Sequence, residues 1–136
     1  FTDIGDACNN VVDSFVRCNA VFLESNYDEE MLTQGRYPHY LKQRIRGGKG
    51  HLSNSQAFQL FTQHRSPFLS HLVLSHLSKE NNSPDLVYDL FQPSARNTTV
   101  VVASRYKETD VYNVATTSQP FPVLPVRPLH TQLKLF

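Results

Sequence analysis

The middle of this 136-residue chain has no acid. Between Met31 and Ser78 there is no Asp or Glu, whereas Arg36, Lys42, Arg44, Arg46, Lys49 and Arg65 are all basic. The other seven basic residues stand against all 12 acidic ones, so a cationic middle third lies between acidic flanks under a net charge of only +1. A balance that small excludes a global field aimed at nucleic acid or membrane. The block itself is either a solvated face or a surface for an anionic substrate. Cysteine is nearly absent: Cys8 and Cys18 sit where the two ends of one short helix would be, which argues against a disulfide and for a reducing cytosol. Long apolar runs are missing too. Nothing approaches the roughly 20 residues that cross a bilayer, and no charged segment followed by an apolar core opens the chain. The expectation is a soluble cytoplasmic protein without a membrane partner.

What is present suffices for a packed core, since 40% of residues are apolar and 11% aromatic. Short apolar runs alternate with helix-period segments, the pattern of an α/β layer structure. Phe1–Ile4 resembles the end of a strand. Val11, Val12, Phe15 and Val16 form one helical stripe within 9–18, and 20–25 is a buried strand. A short helix over 38–46 turns Leu41 and Ile45 inward and its basic residues outward. Ser53 followed by Gln56 is a capping box, and Ala57, Leu60 and Phe61 continue it as a helix. An apolar strand over 68–75 follows. Ser83, Pro84 and Asp85 open another helix, with Leu86, Val87, Leu90 and Phe91 on its inner stripe. Segments 98–103 and 111–115 form a β-rich pair. After Ser118 the composition changes, because Pro120, Pro122, Pro125 and Pro128 fall within nine residues. The division is therefore 1–118 as the folded unit and 119–136 as an extended proline-rich tail, either laid over its own domain, loose, or a docking strap.

Isolated histidines are mostly packing or surface residues, so position must select among the six. His76 closes an apolar strand and precedes the polar turn Lys79-Glu80-Asn81-Asn82, and ligands collect at the carboxyl ends of strands in α/β folds. His71, five residues earlier, points to the opposite face of a regular strand and is structural. His51 lies in Gly47-Gly48-Lys49-Gly50-His51-Leu52-Ser53, just before the capped helix. Its glycines allow close backbone approach to a ligand or positive φ, and a helix N-terminus favours phosphate; a plain surface loop is the other reading. The spacing is not that of a P-loop. Asp3 and Glu24 both end strands, where paired carboxylates hold a divalent metal or simply cap a turn.

Taken in order, Thr2-Asp3-Ile4-Gly5, Leu23-Glu24-Ser25-Asn26-Tyr27-Asp28, Tyr40-Leu41-Lys42-Gln43-Arg44-Ile45, Gly50-His51-Leu52-Ser53-Asn54 and Ser75-His76-Leu77-Ser78 resemble the C-terminal half of the YycJ-like metallo-hydrolases. These belong to the metallo-β-lactamase-fold superfamily. The likeness runs from about Phe1 to Val114, and Val102-Ala103-Ser104-Arg105-Tyr106 with Val111-Tyr112 resembles that family's closing β-hairpin. The resemblance implies the C-terminal half of an αββα sandwich and a nuclease or phosphodiesterase activity. It makes Asp3 the aspartate bridging two metal ions, Zn or Mn, and His76 a further metal ligand. His51 becomes a candidate general acid for the leaving oxygen. Two such ions ~3.5–4 Å apart activate water and stabilise charge on a phosphoryl group. Arg44, Arg46 and Lys49, with Ser53, would hold a phosphate backbone.

One departure bears on activity. The family's His-x-His-x-Asp-His motif and a further metal-binding histidine precede the bridging aspartate, and neither occurs in these residues. A catalytic zinc commonly has three protein ligands plus water, so the expectation is a half whose N-terminal partner lies in cis or in another chain, and which is inactive alone. Such a half exposes the face its partner covers and is prone to self-association. The other reading is a non-catalytic module that binds nucleic acid or another anion through the cationic block.

Overall fold

The computed structural model describes residues 1–114. Its elements run α1 (Asn9–Phe15), β1 (Ala20–Glu24), α2 (Glu29–Gln34), α3 (His39–Arg46), α4 (Asn54–His64), β2 (His71–Ser75), α5 (Pro84–Phe91) with a 3-10 turn at Gln92–Ser94, and β3 (Thr99–Val102). The expected mixed α/β character is present. The sheet has three strands in the order β1-β2-β3, all parallel, with Ala20 opposite His71 and His71 opposite Thr99. Parallel pairing requires crossovers, which α2, α3 and α4 provide between β1 and β2, and α5 provides between β2 and β3.

Alternation sorts the sheet's side chains. Val21, Leu23, Leu72, Leu74 and Val100 form one buried cluster with Phe15 of α1, Ala57, Leu60 and Phe61 of α4, and Val87 and Phe91 of α5. The stripe expected for α4 is the buried one. On the other face, Phe22 of β1 is 62% exposed, whereas its neighbour Val73 is buried. Phe1 has the bonding of a strand end. Its amino group donates to Phe22 O and its carbonyl accepts from Glu24 N–H, both at 2.8 Å. Both cysteines are free thiols.

The start of α4 is the capping box expected from Ser53 and Gln56. The Ser53 hydroxyl accepts the Gln56 N–H at 3.2 Å, and the Gln56 side-chain oxygen accepts the Ser53 N–H at 2.9 Å. Ser53→Ala is expected to lower stability by about 1 kcal/mol, read as a lower urea midpoint at unchanged slope.

Three expectations are corrected. Ser83 precedes α5, but its side chain makes no cap bond; its N–H instead donates to the Asn82 side chain at 2.9 Å. Leu86 is exposed, and Val87 and Phe91 alone are the fully buried part of that stripe. Residues 103–114 contain no strand, so there is no closing hairpin among the described residues; β3 pairs parallel with β2 instead. The Ser104 hydroxyl accepts the N–H groups of Tyr106 and Lys107 and turns the chain, and Tyr112 stacks against His71 at 5.2 Å. Helix α2, in a stretch to which the sequence pattern assigns no element, is started by Asp28 accepting the Met31 N–H at 2.9 Å. The proline-rich tail 119–136 lies outside the described residues.

Candidate metal centre

β1 and β2 end side by side, with Glu24 and His76 at those ends, while Asp3 comes from the segment before α1 and His51 from the loop between α3 and α4. Glu24 is the last residue of β1 and is wholly buried. One of its carboxylate oxygens lies 2.5 Å from His51 Nδ1 and 3.5 Å from His76 Nδ1. The other accepts the Ile4 N–H at 3.1 Å. A buried carboxylate must be paired and hydrogen-bonded to be tolerated, and here both oxygens are engaged. Asp3 completes the group from the rim, its Oδ1 lying 3.9 Å from each histidine Nδ1. The two imidazoles meet edge to face at 5.0 Å.

Asp3, His51 and His76 each offer a ligand atom, and these atoms all lie within 4.8 Å of one another. Carboxylate and imidazole are donors that zinc takes readily and manganese accepts; Asp3 and His76 fit as part of such a shell, while His51 Nδ1 is already held by Glu24. Among the described residues, only three non-glycine positions have positive φ, and two of them are Asp3 at 55° and His76 at 59°. Aspartate and histidine tolerate this region better than most residues, and such outliers concentrate at functional sites. His76 therefore lies beyond the regular strand. His71 is kept from the site by its place at the other end of β2, where its ring contacts Ser70 and Tyr112.

A buried polar hub holds the three loops in register. Asn54 and Asn82 exchange side-chain hydrogen bonds at 3.0 and 2.8 Å. Ser25 donates to Asn54 at 2.7 Å, and Asn82 donates to the Ser25 carbonyl at 2.8 Å. Asn26 donates to the His76 carbonyl at 2.7 Å, while its own N–H reaches Leu52 O at 3.0 Å. The loops bearing Glu24, His51 and His76 are thus cross-linked by amides. The polar run after each apolar segment (Ser25-Asn26, Ser53-Asn54, Asn81-Asn82) was the available signal, and it reads equally as three solvated loops.

The glycine loop works differently from a phosphate cradle. No glycine has positive φ. A Cβ on Gly5 would fall inside 3.0 Å of Gly48 and Gly50 backbone atoms, and one on Gly50 inside 3.0 Å of the Ile45 and Arg44 carbonyls. The close approach is between two segments of this chain, and it brings Asp3 beside His51.

The expected phosphate contacts divide. Ser53 is 1% exposed and its hydroxyl accepts the Gln56 N–H at the cap. Arg46 donates to the Glu29 carbonyl and the Thr33 hydroxyl, tying α3 to α2. Partial burial acts to raise the Glu29 carboxyl, but hydrogen bonds from Ser53 and Ser55 and the Arg46 charge outweigh it and hold the group below its ordinary value. Arg44 and Lys49 are exposed at the end of α3 and in the glycine loop.

Comparison with known proteins finds two named relatives. The chain is 36% identical over 85 residues to a Bacillus anthracis protein named exodeoxyribonuclease YycJ, covering 62% of this chain and 32% of that protein. It is 33% identical over 87 residues to a Streptococcus pneumoniae protein named exodeoxyribonuclease WalJ, covering 64% of this chain and 32% of that one. It is a homologue of YycJ and WalJ. The chain spans about a third of the length of these relatives. No family model matches it, and no significant match to a solved structure was found.

Proposed function

We propose that these residues are the C-terminal half of an αββα metallo-β-lactamase-type hydrolase that cleaves DNA phosphodiester bonds from an end. The observation that carries this reading is the convergence of Asp3, His51 and His76 over the buried Glu24. In this reading residues 1–118 pack against an N-terminal half in cis or in another chain, which supplies the remaining metal ligands, and exposed Phe22 lies on the face it covers. The domain alone is then inactive. Free thiols fit a cytoplasmic protein, and no helix among the described residues is long and apolar enough to cross a membrane.

Asp3 and His76 would hold divalent metal, Zn or Mn, two ions in the complete protein. Bound there, the metal supplies a Lewis acid and a water of lowered pKa. The chain's own residues do the rest. Glu24 fixes the His51 ring through Nδ1, which leaves Nε2 to deliver a proton to the leaving oxygen as general acid. Arg44 and Lys49 attract the nucleic-acid backbone and set its approach.

Elemental analysis of the full-length protein, together with degradation of end-labelled DNA before and after chelation, tests the reading. About two ions per chain and chelator-sensitive release of nucleotides are expected. DNA binding with neither metal uptake nor cleavage would replace it with a non-catalytic anion-binding module.

A further inference from the structure

A groove of about 670 Å³ lies beyond the carboxyl ends of β2 and β3. His76 is among its lining residues, so the groove adjoins the candidate metal centre at that residue. Its apolar wall includes Leu77 and Val102, its rim carries Lys79 and Arg105, and among the described residues no acidic side chain lines it. Tyr106 also lines the groove and is 79% exposed. The arrangement is held in place. Arg105 donates to the Leu77 carbonyl at 2.6 Å, bridging the segment after β3 to the loop that follows His76. The Tyr106 N–H donates to the Ser104 hydroxyl at 3.1 Å, which sets the tyrosine beside the same groove.

We infer that this groove is a nucleoside subsite for a single DNA strand whose phosphodiester reaches the Asp3–His51–His76 cluster. The inference rests on the nuclease reading above and extends it to residues outside the cationic middle block. Three properties favour this occupant. The volume falls in the range of about 300–1,000 Å³ typical of small-molecule sites, which suits one nucleoside and not a duplex. The charge is complementary, since Lys79 and Arg105 offer cations with no acid opposing them, and a guanidinium that spends one N–H on Leu77 keeps others for a phosphate oxygen. Tyr106 and the apolar wall offer a face on which any base stacks, a sequence-tolerant contact suited to a strand that is consumed stepwise.

Binding of a fluorescein-labelled single-stranded oligodeoxynucleotide to the full-length protein, followed by anisotropy, tests this against the same oligonucleotide built with abasic sites. Tyr106→Ala is expected to weaken binding of the normal strand by about 5- to 150-fold and to leave abasic-strand affinity unchanged, while Tyr106→Phe retains the parent affinity. Lys79→Ala and Arg105→Ala are expected to weaken both strands and to lower the salt dependence by about one released counterion each. Tyr106→Ala binding the normal strand as tightly as the parent, or losing both strands equally, overturns the subsite. Because binding is read without cleavage, a protein that binds in this pattern but does not hydrolyse DNA refutes the nuclease reading and leaves the subsite standing.

Discussion

His51→Ala is expected to lower phosphodiester turnover by about 10²–10⁴-fold, the range for a positioned proton donor, with metal content at the parent level. The expectation comes from the division of labour around Glu24. Its carboxylate sits 2.5 Å from His51 Nδ1, so that nitrogen is committed to the protein and the ring presents its other nitrogen outward. Glu24→Gln preserves the shape of the pair and removes the charge that fixes the ring. Such outer partners typically contribute about 10–100-fold, so it should fall less far than His51→Ala. The double variant should be no worse than His51→Ala, since the two side chains act as one unit. Turnover and elemental analysis of the three variants check this together. Loss of metal in His51→Ala would make His51 a ligand beside Asp3 and His76.

The second large effect is structural. Gly50→Ala is expected to cost about 3 kcal/mol or more, because the new methyl group meets the Ile45 and Arg44 carbonyl oxygens, which are backbone atoms with little room to yield. Ile45 O also accepts the His51 N–H at 2.9 Å, so whatever relief the backbone finds displaces the histidine as well. Gly48→Ala, two residues away, has nothing within 4 Å of its new Cβ and should stay within about 0.5 kcal/mol of the parent. Urea unfolding of the two variants measures the contrast directly. Equal stability of the pair would mean that the loop does not pack as described.

These contrasts show which parts of the molecule could be read from order along the chain. Strand β1, the capped helix α4 and the core stripe of α4 depend on neighbours a few residues apart, and they lie where local pattern puts them. The histidine pair is less direct. Strand periodicity separates His71 from His76, and the two are indeed apart, but His76 owes its direction to a left-handed turn past the strand end rather than to alternation. Segment 111–114 has strand-like composition and no strand pairing, since Tyr112 is used against His71. Asp3, His51 and His76 were marked by resemblance and by their places at element ends. Their approach to one another depends on Gly5 packing on the glycine loop and on the Asn54–Asn82 pair, contacts between segments more than 25 residues apart, for which spacing carries no signal. Ser53 illustrates the limit of local reading from the other side. The same hydroxyl that identifies the helix start is consumed by it.

The reciprocal amide pair has a mechanical consequence. Asn54 lies just past the loop that carries His51, and Asn82 ends the turn that follows His76, while both reach Ser25, the residue after Glu24. None of the three loops can open without breaking hydrogen bonds that belong to the other two. Their fluctuations are correlated, and a cooperative element of this kind opens as one unit rather than loop by loop. His51, Glu24 and His76 therefore share a single population of molecules in which all three are in place, and a change that loosens any one loop reduces that fraction.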